Sequence, residues 1–196
     1  MIQLAELARA VADVRGDALV VTGPGAISGA LWSCGHHSPT LYNMELAYAS
    51  SVAYGAALAR PERPAIALEG DGSLLAALPV LATVARQPSP NLTIVAVVNG
   101  VYGTGDNRTE TVFAMGADLA AVAAGLGWES DHVVQADSAE VLRTSLQQSA
   151  DQPGPWLIVA HVDPASYELG SVRARPGIDV VEAAVEVRRN FATDGG

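Results

Sequence analysis

From residue 65 to residue 103 the chain reads AIALEGDGSLLAALPVLATVARQPSPNLTIVAVVNGVYG. Two short apolar runs, 65–68 and 92–98, frame this stretch, and the second is dense in β-branched residues. Both read as strands buried on two faces. Between them, residues 74–86 place apolar side chains at helical spacing, which predicts one continuous helix. A strand, a helix and a second strand form the unit of a parallel sheet. The same alternation extends outward in both directions. Residues 4–14 predict a helix, and 18–21 a strand stopped by Gly23-Pro24-Gly25. A stretch containing glycine and histidine runs to Tyr42, followed by an alanine-rich helix over 44–60 that ends at Pro61. Beyond a polar, glycine-rich loop over 100–111, helices are expected at 118–126, at 138–149 with Ser138 as cap, and at 180–191. Strands are expected at 132–135 and 156–162, with an irregular connection over 164–176. Strands separated by helical crossovers predict an α/β, doubly wound parallel sheet with helices on both faces. One domain over 1–196 is expected, with no internal repeat and no low-complexity tract.

Composition narrows the function. Of 196 residues, 49% are hydrophobic and only 16% charged, which fits a globular domain and not a disordered one. A formal net charge of −10 leaves nothing to neutralise a long phosphate backbone, so a nucleic-acid partner is not expected. A small phosphorylated cofactor remains compatible, because a metal ion and backbone amides hold one without a basic surface. Cys34 is the single cysteine, which excludes an intramolecular disulfide, an iron–sulfur cluster and a cysteine-rich zinc site. The first fifteen residues lack the apolar core of a signal peptide, and no apolar run reaches membrane-spanning length. A soluble, cytoplasmic chain is the expectation.

In such a sheet, ligands bind where strand carboxyl ends lead into loops. Two loops there carry unusual residues. Gly70-Asp71-Gly72-Ser73 follows one expected strand, and Asn99-Gly100-Val101-Tyr102-Gly103 follows another. Should those strands be neighbours, Asp71 and Asn99 converge. A carboxylate, an amide oxygen and a backbone carbonyl are hard oxygen ligands suited to Mg²⁺, with octahedral positions left for diphosphate oxygens and water. Gly70 and Gly72 let the backbone approach phosphates, and Ser73 stands at the positive end of the next helix. Taken alone, Gly-Asp-Gly is also a common turn. The paired asparagine loop is what makes it specific.

Gly-Asp-Gly-Ser, followed 28 residues after the aspartate (99 − 71) by Asn-Gly-Val-Tyr-Gly, resembles the thiamine-diphosphate signature of decarboxylases and acetolactate synthases. Further matching segments are residues 49–55, Leu81-Ala82-Thr83, Asn91-Leu92-Thr93 and the closing Arg188-Arg189-Asn190-Phe191. They resemble the β subunit of the sulfopyruvate decarboxylases and the C-terminal half of the phosphonopyruvate decarboxylases. The resemblance implies thiamine diphosphate and Mg²⁺ as cofactors, with the metal held by Asp71, Asn99 and the Val101 carbonyl. It implies that Gly70, Gly72, Ser73, Tyr102 and Gly103 line the diphosphate. The usual asparagine pair is reduced to one, since Val98 occupies the first position, but the ligand in these families is the second. The resemblance also implies a 2-oxo acid substrate and a separate pyrimidine-binding subunit carrying the catalytic glutamate, hence a hetero-oligomer. Half of an acetolactate-synthase-like carboligase is the alternative within the enzyme class. A non-catalytic cofactor-binding module is the alternative outside it, and that reading predicts the loss of a metal ligand.

Other positions are candidates with two readings each. Thr22-Gly23-Pro24-Gly25 resembles a loop that touches the diphosphate, or is a strand-ending turn. By alignment Leu46 is the bulky residue beneath the bent cofactor, or a helix-core leucine. Glu45 touches substrate or pyrimidine, begins a helix, or mimics the missing glutamate. His36 and His37 suit proton transfer or anion binding, or are bland loop residues. Arg108, beside Asn107 and Thr109, is a planar fork for a substrate carboxylate, sulfonate or phosphonate, or a solvated arginine. His132, His161 and Cys34 read as structural.

Overall fold

The computed structural model describes residues 1–102, 109–168 and 174–193. Six strands form one sheet: β1 (Leu19–Thr22), β2 (Thr40–Leu41), β3 (Ala65–Gly70), β4 (Leu92–Val98), β5 (Val133–Ala136) and β6 (Trp156–His161). They are ordered β2-β1-β3-β4-β6-β5 and every pairing is parallel. The helices are α1 (Leu4–Val14), α2 (Ala26–Ser33), α3 (Ala49–Ala59), α4 (Asp71–Ala76), α5 (Pro79–Arg86), α6 (Leu119–Gly125), α7 (Ala139–Asp151) and α8 (Val180–Thr193). The α/β, doubly wound reading therefore holds.

Side chains alternate across the strands and split the core in two. Val95 and Val97 of β4 join Val20, Ile66, Leu68 and Ile158 in a cluster with α1 and α7. Ile94, Ala96 and Val98 face the other way, with Val21, Ala67, Leu157 and the buried alanines of α3. All seven residues of β4 are buried, which explains why its sequence is an unbroken apolar run and not an alternating one.

Three local departures from the sequence reading matter for the site. The helix expected at 74–86 is two helices, α4 starting at Asp71 and α5 at Pro79. Proline at the start of α5 has no N–H to continue the preceding helix. The helix expected at 44–60 begins only at Ala49. Ahead of it, Asn43 and Ala47 adopt φ of 52° and 76°, a region that residues with a side chain seldom enter. Helix α2 was not anticipated. Its sequence, Ala-Ile-Ser-Gly-Ala-Leu-Trp-Ser, is apolar or small nearly all round and buried over residues 27–31, so it carries no amphipathic period to read.

Away from the site, Asn91 acts as a staple. Its amide donates to the carbonyls of Ala57, Arg60 and Arg63 at 3.2, 2.9 and 2.6 Å, fastening the end of α3 to the start of β4. Cys34 donates to Ala30 and His132 lies against Trp156, in keeping with their structural reading. Among the described residues no helix is long and apolar enough to cross a membrane.

Candidate active site

The chain passes from β1 outward to β2 and then returns to β3 on the other side, so the loops after β1 and β3 diverge. A topological switch of this kind opens a crevice at the strand carboxyl ends. Here it is a cleft of about 440 Å³, its open mouth included. Pro24, Ala26 and Ile27 reach it from the β1 side, and Gly70 to Ser73 from β3. Asn99, Val101 and Tyr102 come from β4, with Leu46 and Tyr167 closing it.

β3 and β4 are neighbours, with Gly70 opposite Val97. That register carries Asp71 and Asn99 off adjacent strand ends into one place. Asp71 is buried, 1% exposed. Its Oδ1 accepts from the Gly72 amide at 2.9 Å, and its Oδ2 from the Gly100 amide at 3.0 Å and the Thr111 hydroxyl at 2.7 Å. Burial pushes the Asp71 carboxyl above the usual carboxylate range, and these three hydrogen bonds oppose the rise. Asn99 is 8% exposed, and its side-chain oxygen accepts from the Val101 amide at 3.0 Å. Tyr167 lies close to both residues: burial first, then the nearby Asp71 charge, push its phenol upward, and the Asn99 side chain opposes them. Gly100, at φ 74°, makes the turn that returns the β4 loop towards Thr111, whose amide donates to the Gly100 carbonyl at 2.8 Å.

The glycines of the motif have distinct uses. A Cβ on Gly70 would enter open space, and the residue lines the cleft. A Cβ on Gly72 would lie 2.4 Å from the Tyr102 ring, which packs directly over this glycine. The donor set of carboxylate and amide oxygens fits a hard divalent cation, and the uncluttered backbone at Gly70 fits a bulky anion beside it.

Other expected positions fall differently. Thr22 is turned into the interior, where its hydroxyl pairs with that of Ser28, and of its loop only Pro24 lines the cleft. Gly23 donates its amide to Leu68 at 2.8 Å, tying the loop to β3, and Gly25 at φ 88° leads into α2. Leu46 is in the cleft and 42% exposed, so it is not a helix-core leucine. Glu45 is exposed beside it in the turn, three residues short of Tyr48 at the head of α3, and so does not begin the helix. His36 is not brought to the cleft. It bonds to Tyr42 at 3.3 Å and to Glu186 of α8 at 3.2 Å, and stacks near Trp32. His37 is exposed, with its carbonyl accepting from Thr40. Gly103, Asn107 and Arg108 lie outside the described residues.

Three residues near this cleft were not foreseen: Thr111, Tyr167 and Glu69. Glu69 is wholly buried at the end of β3, and bonds to Ser73 at 2.6 Å and to the Ser50 amide at 2.9 Å. A carboxylate ending an otherwise apolar strand was a readable signal for it. A lone threonine 40 residues beyond Asp71 offered none.

Fold and cleft together define an α/β ligand-binding domain with its site at the carboxyl ends of parallel strands. The chain belongs to the family described as thiamine pyrophosphate enzyme, C-terminal TPP binding domain, which matches residues 34–160. It is 34% identical over 194 residues to a phosphonopyruvate decarboxylase of Streptomyces hygroscopicus, covering 98% of this chain and 46% of that protein. It is 35% identical over 130 residues to the sulfopyruvate decarboxylase subunit beta of Methanothermobacter thermautotrophicus, covering 65% of this chain and 68% of that one. Among solved structures, a thiamine diphosphate-dependent 4-hydroxybenzoylformate decarboxylase of Rhodococcus jostii superposes with a TM-score of 0.69 at 26% identity, over 83% of this chain and 33% of that one. The chain spans about half the length of the phosphonopyruvate decarboxylases it matches.

Proposed function

We propose that this chain is the diphosphate- and Mg²⁺-binding component of a thiamine-diphosphate-dependent 2-oxo acid decarboxylase acting on a sulfopyruvate- or phosphonopyruvate-like substrate. The observation that carries the reading is the meeting of Asp71 and Asn99 on adjacent strand ends in one cleft. Thiamine diphosphate, when bound, supplies the electron sink for loss of CO₂ from a 2-oxo acid. Asp71 and Asn99, with the Val101 carbonyl, would hold the metal, whose positive charge would offset the negative charge of the diphosphate. The open backbone side of Gly70 gives the anion room, and Pro24 and Ile27 wall the cleft opposite. Leu46 presents an apolar prop on which the cofactor would rest.

A separate pyrimidine-binding subunit carrying the catalytic glutamate would complete the site. Relatives named as a beta subunit support this, being matched over 68% and 84% of their own lengths. So do the large apolar side chains exposed near the cleft. Leu46 and Tyr48 are 42% and 56% exposed, and Val112 and Met115 are 47% and 76% exposed on the turn whose Ala114 packs against Gly100. Such exposure suits a surface that another protein covers.

The test is reconstitution. The chain purified alone with thiamine diphosphate and Mg²⁺ is expected to release no CO₂ from any 2-oxo acid. With a pyrimidine-binding partner it is expected to turn over sulfopyruvate or phosphonopyruvate in preference to pyruvate. Turnover by the single chain would refute the two-component reading, and preference for pyruvate would refute the substrate class.

A further inference from the structure

We propose that Glu69 is a positioning residue which, through Ser73, holds the 43–47 turn in the strained form that presents Leu46 to the cleft. This rests on the thiamine-diphosphate reading above.

Glu69 is 0% exposed, on a strand whose preceding residues are all apolar. A carboxylate in that position is costly unless its oxygens are hydrogen-bonded or paired. Among the described residues no lysine, arginine or histidine forms an ion pair with it. Its partners are the Ser73 hydroxyl on Oε1 and the Ser50 amide on Oε2. Both partners belong to the neighbourhood of Leu46. Ser50 is in the first turn of α3, immediately after the turn that carries Leu46. The Ser73 oxygen accepts the Ala47 amide at 2.8 Å, one residue from Leu46.

The direction of these bonds explains why an acid is used. The Glu69 carboxyl oxygen Oε1 accepts from the Ser73 hydroxyl, so the Ser73 proton points at Glu69. That commits a lone pair of the serine oxygen to the Ala47 N–H. Ala47 needs such a hold, because its φ of 76° is unfavourable for a residue with a side chain. The upstream end of the turn is fastened independently. Asn43 donates to Ser28 Oγ at 2.9 Å, and Met44 to the Thr22 carbonyl at 3.0 Å. Glu69 thus secures the downstream half, at Ala47 by relay and at Ser50 directly. Leu46 stands between the two anchors. The hydroxyl of Ser73 is spent inward on this relay, although the residue still lines the cleft.

The experiment compares Glu69→Ala, Glu69→Gln and Ser73→Ala with the parent, in the chain alone and in its complex with the pyrimidine-binding partner. Backbone amide exchange in the metal-free chain reads the turn directly. Glu69→Ala should speed exchange at both Ala47 and Ser50 by about fivefold, the factor one ordinary hydrogen bond of about 1 kcal/mol is worth. Ser73→Ala should speed it at Ala47 and leave Ser50 unchanged, and this milder variant decides the matter should Glu69→Ala fail to fold. Glu69→Gln can still accept from Ser50, so it should keep protection there and lose part of it at Ala47. Affinity for Mg²⁺ with inorganic pyrophosphate should stay within about threefold of the parent in the two Glu69 variants, because Asp71 and Asn99 are untouched. In the complex, kcat should fall by about tenfold or more with KM little changed, as expected when an interaction made at the reacting geometry is lost. Parent-like exchange at Ala47 in both Glu69→Ala and Ser73→Ala would overturn the relay, as would unchanged kcat despite a loosened turn. Failure of the parent complex to bind thiamine diphosphate with Mg²⁺ would overturn the cofactor reading instead, and the exchange pattern would still decide the relay.

Discussion

Replacing Thr111 by valine isolates one hydrogen bond at the candidate metal site. Thr111 is 1% exposed, and valine has nearly its shape, so little packing is disturbed. The substitution removes the donor 2.7 Å from Asp71 Oδ2 and leaves that oxygen with the Gly100 amide at 3.0 Å. A hydrogen bond to a charged group is worth about 1.5–3 kcal/mol, and this one helps the carboxylate stay ionised in a buried place. Removing an outer partner of a metal-binding carboxylate costs about 10–100-fold in affinity, about 1.4–2.8 kcal/mol at tenfold per 1.4 kcal/mol. The two routes agree. Thr111→Val is therefore expected to weaken Mg²⁺-dependent thiamine diphosphate binding by about 10–100-fold. Thr111→Ser, which keeps the hydroxyl, should recover most of the loss. Isothermal titration of the cofactor at fixed Mg²⁺ measures both. Parent-like affinity in Thr111→Val would refute the claim that Asp71 works in metal binding through this bonded geometry.

Three further outcomes follow from the same residues. Leu46→Ala should lower kcat of the reconstituted enzyme more than it weakens cofactor binding, while changing stability by less than about 1 kcal/mol because the side chain is already 42% exposed; steady-state kinetics and urea melts check this. Since burial raises the Asp71 pKa, the folded chain binds this proton more tightly than the unfolded one. The stabilising contribution is complete below the ordinary carboxylate pKa and is lost as pH rises through the raised one, so melts of the metal-free chain across that window should show a slope that Asp71→Asn removes. Arg15, whose pKa burial pulls down to about 10, donates to Thr40 Oγ1, the Ala18 carbonyl and the Pro39 carbonyl at 2.6, 2.9 and 2.6 Å. Arg15→Met leaves those buried acceptors without this donor and should cost about 2–4 kcal/mol in chemical denaturation, with cofactor affinity unchanged.

The sequence carried the sheet well, because its central strands are buried on both faces and announce themselves as apolar runs. The meeting of Asp71 and Asn99 in one cleft was legible too, since glycine, aspartate and asparagine at strand ends have few structural uses in combination. What escaped it was set by tertiary contacts. An alanine-rich pattern reads as helix from residue 44, yet the amides of Asn43, Met44 and Ala47, donating to Ser28, Thr22 and Ser73, hold 43–47 in a turn. His36 and His37 looked chemically apt, but fitness for proton transfer says nothing of location, and His36 is engaged with Glu186 on α8. Thr111 and Tyr167 reach the site only through the folding of distant segments, so no local pattern marks them. The motif places Ser73 beside the cofactor. Its hydroxyl direction, which only the Glu69 contact fixes, was beyond any pattern.

The most direct measurement of the central claim is calorimetric titration of thiamine diphosphate into this chain combined with the proposed pyrimidine-binding subunit, with Mg²⁺ and then with EDTA, for the parent and for Asp71→Ala. The account predicts binding that requires Mg²⁺ in the parent and a loss of far more than about tenfold in the variant, since a buried charged ligand to the metal is removed. Equal affinity in parent and variant, or binding indifferent to Mg²⁺, would contradict it.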